Sequence, residues 1–122
     1  MAELLLGARG IGSESLRVLL ACLMPRLYSV FQDRLARVVL YGSYARGDED
    51  AESDLDILVL INALPEELRE YNDVLLDLSV DLSLEYGLVL SIRSKSCVEY
   101  DRYAQFVPFY RNVEREGILL YG

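Results

Sequence analysis

Residues 40–61 read LYGSYARGDEDAESDLDILVLI, and the way this stretch divides decides the fold. Arg37 to Tyr41 is a short apolar run stopped by Gly42, which predicts a buried strand. Asp54 to Ile61 is apolar after its first three residues, as expected of a central strand covered on both faces. The loop between them is dense in Gly, Asp and Glu. Asp54 and Asp56 stand at the mouth of the second run, where folding alone does not favour charge. Side chains alternate along a strand, so both carboxylates point to one face, with α-carbons about 6.5–7 Å apart. Two carboxylates placed so can converge on a hard cation such as Mg²⁺. An isolated Asp-x-Asp reads more simply as a loop cap, with Asp54 capping through Ser53 and Asp56 solvated at a strand end.

Outward from this stretch, helical and extended patterns alternate. Ser13 can cap a helix whose broad apolar face holds Leu16, Leu19, Leu20, Leu23, Leu27, Val30, Phe31 and Leu35. Pro25 falls inside it and predicts a kink or a division in two. After Ile61, the turn at Asn62 to Pro65 begins a helix with Glu66 and Glu67 in its first turn. It continues through Leu68, Tyr71, Leu75, Leu78 and Leu82 to a stop at Gly87. Leu88 to Arg93 predicts a third strand, Ser96 a short helix start, and Pro108 to Gly117 a further helix before the apolar tail Ile118 to Tyr121. The expectation is one α/β domain over residues 1–122 with a small sheet. Residues 1–12, with glycines at 7, 10 and 12, read as a flexible leader because their spacing fits neither phosphate-loop pattern.

Composition narrows the partners. A hydrophobic share of 52% allows a filled core, and the surface must then carry the formal charge of −8. An acidic domain repels nucleic-acid phosphates, and the basic residues are dispersed, so a long nucleic acid is not expected. Cys22 and Cys97 have no histidine beside them, which leaves a zinc site without ligands. Cys22, inside the helical pattern, reads as a small core residue. No stretch reaches the roughly 20 apolar residues of a membrane span, and the amino terminus does not read as a signal peptide. A reduced cytoplasm is the expected location.

The phosphate side of the reading lies in Gly42-Ser43 and SYARG. Glycine at a strand end lets a phosphate approach backbone N–H groups, the Ser43 hydroxyl can join them, and Arg46 can offer a planar fork to a phosphate oxygen. Alone, this reads more simply as a strand-to-helix turn with Ser43 as N-cap. Taken together, Gly42-Ser43, Ala45-Arg46-Gly47 and Ser53-Asp54-Leu55-Asp56 resemble the signature of the polymerase-β-like nucleotidyltransferases. The similarity is to the minimal, single-domain, antitoxin-like subgroup, and it runs over residues 38–61. The resemblance implies a mixed sheet flanked by helices, an NTP donor (ATP the foremost candidate), Asp54 and Asp56 as the Mg²⁺-holding catalytic pair, and Gly42, Ser43 and Arg46 on the phosphates. Members of that subgroup are often encoded beside a HEPN-type ribonuclease toxin and act as its antitoxin, in some cases by adding AMP to a tyrosine.

One departure stands out. Members that catalyse transfer usually carry a third acid on the next strand, and two-metal chemistry needs carboxylates that hold both ions. The third strand here reads LVLSIRS over 88–94, and Ser91 is the candidate for the vacant position. An ion associated with the nucleotide keeps Asp54 and Asp56, whereas the ion activating the nucleophile loses an anionic ligand. A substitute acid is conceivable from Asp48, Glu49 and Asp50 or from the helical stripe Asp77, Asp81 and Glu85, although both groups read more simply as solvated surface. Two functions therefore compete: transfer of a nucleoside monophosphate to a hydroxyl, or a catalytically impaired module that neutralises a partner by contact. The aromatics Tyr100, Tyr103, Phe106, Phe109 and Tyr110 read chiefly as core packing of terminal helices, with a homodimer or partner surface as the alternative.

Overall fold

The computed structural model describes residues 14–50 and 52–122; the leader and the Ser13 cap lie outside them. Helix α1, Glu14–Phe31, buries Leu16, Leu19, Leu20, Leu23, Leu27 and Phe31 on one face. Pro25 does not divide it: the helix is continuous, and the proline sits on its exposed side. A 3₁₀ turn, Gln32–Arg34, leads into strand β1, Leu35–Tyr41. Leu35, expected on the helical face, instead opens this strand.

A helix of one turn, α2 (Ser43–Arg46), and a loop lead to β2, Leu55–Ile61. The single helix expected from Pro65 to Gly87 is two pieces, a 3₁₀ segment Pro65–Tyr71 and α3, Asn72–Tyr86. Glu67 explains the first piece: its carboxylate accepts the Leu64 N–H at 2.8 Å and pairs with Arg34 at 3.2 Å, fixing a tight turn. Then come β3 (Leu90–Ser96), α4 (Cys97–Tyr103), α5 (Pro108–Glu116) and β4 (Ile118–Tyr121). Strand β3 begins and ends later than the apolar run 88–93, because Ser94 and Ser96 pair with β2 although they add no hydrophobic signal.

The sheet order is β3-β2-β1-β4, with β1 antiparallel to β2 and β4, and β3 parallel to β2. This is the mixed sheet that the resemblance implies. On one face α1 and α3 bury Leu23, Leu27, Leu78 and Leu82 against Leu40, Ile57 and Val59. On the other, Cys97 and Tyr100 of α4 and Tyr110 and Val113 of α5 cover Val39, Leu58 and Leu60. Burial of β2 on both faces accounts for its unbroken apolar run.

The terminal aromatics divide. Tyr100 and Tyr110 are buried with ring centroids 4.7 Å apart, whereas Tyr103 and Phe106 are exposed, Phe106 at 74%. Cys22 is also a correction, because it lies on the exposed side of α1 with its sulfur 3.1 Å from the Tyr86 hydroxyl. Asp77, Asp81 and Glu85 are solvated, and Asp81 meets Arg26 at 3.2 Å. No described helix is long and apolar enough to cross a membrane.

Candidate functional site

The antiparallel register sets Tyr41 opposite Asp56 at the end of β1. The chain then turns at Gly42 with φ +78°, and a β-carbon there would run into the Asp56 carboxylate. Only glycine gives both the left-handed conformation and the clearance. The Gly42 carbonyl accepts the N–H groups of Ala45 and Arg46 at 3.1 Å each, which closes the one-turn helix that Ser43 opens. Thus Gly42, Ser43 and Asp56 come together because two strands pair, although they are well separated in sequence.

Asp54 and Asp56 flank Leu55 at the start of β2 and share a face, with Asp54 exposed and Asp56 half-buried. Burial raises the Asp56 carboxyl above its usual range, the Asp54 charge adds to this, and Arg93 and Arg46 oppose it. Ser53 belongs to the loop: its hydroxyl oxygen accepts the Asp50 N–H at 2.9 Å. Arg46 lies between Asp48 at 3.2 Å and Glu116 of α5 at 3.3 Å, and these carboxylates hold its guanidinium at the rim.

The parallel register sets Ser91 beside Asp56. Among the described residues, no third Asp, Glu, His or Cys joins the two aspartates in a group able to hold a metal ion. Neither the 48–50 loop nor the 77–85 stripe supplies one. The donor set is nevertheless all carboxylate oxygen, which suits a hard divalent cation. A cavity of about 160 Å³ opens beside Gly42, between Tyr41, Arg46, Phe109, Asn112 and Glu116. A larger groove of about 610 Å³ runs from Asp54 along β3.

The sequence profile of the nucleotidyltransferase domain matches residues 25–119. The chain belongs to that family. Transfer of a nucleoside monophosphate from an NTP is the reaction class of this domain. A relative from Methanocaldococcus jannaschii, named among the protein adenylyltransferases, is 36% identical over 78% of this chain and 87% of its own length. The protein adenylyltransferase MntA of Thermococcus cleftensis is 43% identical over 40% of this chain and 54% of its own. Two solved structures share the fold at 20% identity, a toxin–antitoxin with AMP-PNP (TM-score 0.53) and an MntA–HpeT mutant (TM-score 0.54). They cover 81% and 83% of this chain, and 70% and 72% of theirs.

Three residues of this candidate site escape a reading by motif. Tyr41 projects toward the Asp56 side, edge-on to Phe109 with centroids 5.3 Å apart, and its buried hydroxyl has no hydrogen-bond partner. Burial raises its phenol pKa; Arg93 opposes the rise and Asp56 adds to it. Arg93 lies with its guanidinium 5.7 Å from the Phe109 ring centre. Glu116 competes for Arg46 across a sequence separation of 70 residues. The available signal was strand alternation from Ser91 to Arg93, usable only once the register is known.

Proposed function

We propose that this chain binds an NTP, with ATP the foremost candidate, and transfers its nucleoside monophosphate to a hydroxyl of a protein partner. In this reading Ser43 and the turn at Gly42 receive the phosphates. Arg46 exchanges Asp48 and Glu116 for phosphate oxygens, and Asp54 and Asp56 hold Mg²⁺. The ion would neutralise phosphate charge and orient the transferred group. The acceptor oxygen forms a bond to the α-phosphorus, the bond from that phosphorus to the β-bridging oxygen breaks, pyrophosphate leaves, and the hydroxyl proton passes to water. The observation that carries this reading is the packing of the Asp56 carboxylate on Gly42, which joins the phosphate turn and the carboxylate strand into one site.

The partner we infer is a cognate toxin, of the HEPN ribonuclease type, met in the cytoplasm. Two fold neighbours are toxin–antitoxin structures, and an acidic surface suits a protein acceptor better than a nucleic acid. A second reading keeps nucleotide binding but drops turnover, so that the chain neutralises the toxin by contact. Ser91 beside Asp56 favours it, because the strand that usually brings a third acid brings a hydroxyl.

Labelled NTPs separate the two. Each is incubated with Mg²⁺ and the chain, with and without the neighbouring ribonuclease, for wild type and Asp56→Ala. Label on the partner that disappears in the variant supports transfer. Inhibition without label, by wild type and variant alike, sinks the catalytic reading in favour of contact.

A further inference from the structure

Residues on opposite faces of a strand line one cavity together only if that cavity follows the strand's hydrogen-bonding edge. The groove beside β3 meets this condition: Ser91, Arg93 and Lys95 line it from one face and Ile92 and Ser94 from the other, with Leu76 on the α3 wall. Among the described residues the sheet ends at β3. The Leu55 N–H donates to the Val89 carbonyl at 2.7 Å, so Ser91, Arg93 and Lys95 also turn their backbone toward β2. The backbone of Ile92 and Ser94 therefore faces the groove. Near the entrance, Ser83 Oγ of α3 accepts the outward Leu90 N–H at 2.9 Å, which limits the open edge to the stretch beyond.

The groove's charge differs from that of the molecule. Arg93 and Lys95, the chain's only lysine, line it as cations, and among the described residues Asp54 is its single anion. Two copies of β3 pairing there would bring basic side chains together, as edge lysines discourage. An incoming strand with acids opposite Lys95 and Arg93 would instead be complementary.

We propose that the β3 edge docks an extended acidic segment of the protein acceptor as an added strand. This rests on the reading of Asp54 and Asp56 as the transfer site. A residue opposite Ser91 on that strand emerges on the face that carries Asp54 and Asp56. The added strand lies two strand spacings from β2, about 9.5 Å away. A serine or threonine hydroxyl ends close to its own backbone, whereas a tyrosine phenol reaches well into that gap, over the small Ser91 side chain, toward a phosphate held from the β2 side. Added antiparallel, the segment reads Glu-x-Glu-x-Tyr, with the acids facing Lys95 and Arg93 in turn. The missing third carboxylate thereby becomes the space through which the acceptor enters.

A fluorescent peptide Thr-Glu-Val-Glu-Val-Tyr-Thr tests the docking by anisotropy, alongside calorimetry of Mg-ATP. N-methylation of both valines, which face the backbone of Ser94 and Ile92, is expected to weaken binding about tenfold or more, whereas N-methylation of the glutamates leaves it within about twofold. Lys95→Glu should weaken the peptide and leave Mg-ATP binding unchanged, and exchanging the peptide's first Glu for Lys should restore it. Equal effects of both methylation patterns, no peptide binding at millimolar concentration, or tighter capture of an oligoadenylate by the Lys95 face would each overturn the inference. If Mg-ATP still binds in those cases, only the docking falls; if Mg-ATP does not bind, the reading of the site falls with it.

Discussion

At Gly42 two demands meet on one α-carbon: a φ of +78° and the space taken by the Asp56 carboxylate. Gly42→Ala should therefore cost about 1–3 kcal/mol in denaturant unfolding and also displace Asp56. Loss of Mg-ATP affinity beyond what unfolding explains is the expected second effect. Asp56 itself gives a signed pH test. Its carboxyl is raised chiefly by burial, then by Asp54, so its contribution to stability is complete below the unfolded carboxylate range and declines as pH rises through the folded pKa. Asp56→Asn should melt above wild type at about pH 7, with the gap closing toward about pH 4; scanning calorimetry at both values checks it, and a variant that melts lower at neutral pH contradicts it. Arg46 sits between Asp48 and Glu116, so Glu116→Gln should free it for phosphate and tighten Mg-ATP. Arg46→Ala should loosen Mg-ATP by about tenfold, the scale of one charge-assisted contact.

At the scale of elements, α1 carries a proline on its exposed side without breaking. The apolar face through Leu23, Met24 and Leu27 is fully buried, and that packing outweighs the lost backbone bond. Pro25→Ala should accordingly stabilise the protein by up to about 3 kcal/mol, read as a higher urea midpoint with an unchanged slope; a lower midpoint would mean that the proline shapes the helix. Periodicity located α1, β2 and α3 because each repeats one pattern over several turns or residues. It missed the 3₁₀ segment at Pro65–Tyr71, where the Glu67 contacts with Leu64 and Arg34 decide the geometry. It also misplaced Cys22, which lies beside the buried stripe of α1 on its exposed side, and grouped Phe106 with Tyr100, although Phe106 lies in the turn after α4.

At the scale of the molecule, the mixed sheet and its flanking helices were legible because the Gly-Ser turn and the Asp-x-Asp strand are local signals. Ser91 was legible for the same reason, as a position on the next strand. Tyr41, Arg93 and Glu116 were not, because only the strand register and the seating of α5 bring them near Asp56 and Arg46. Sheet order likewise determines that, among the described residues, β3 is left at an edge. The central claim is that these parts form a cradle for a nucleotide and a divalent cation, and it is separable from turnover. Calorimetric titration of Mg-ATP into wild type, Asp54→Asn and Asp56→Asn tests it most directly. Saturable binding by wild type, weakened about tenfold or more in each variant, is the predicted result. No heat from wild type at millimolar nucleotide, or equal binding by all three proteins, would contradict it.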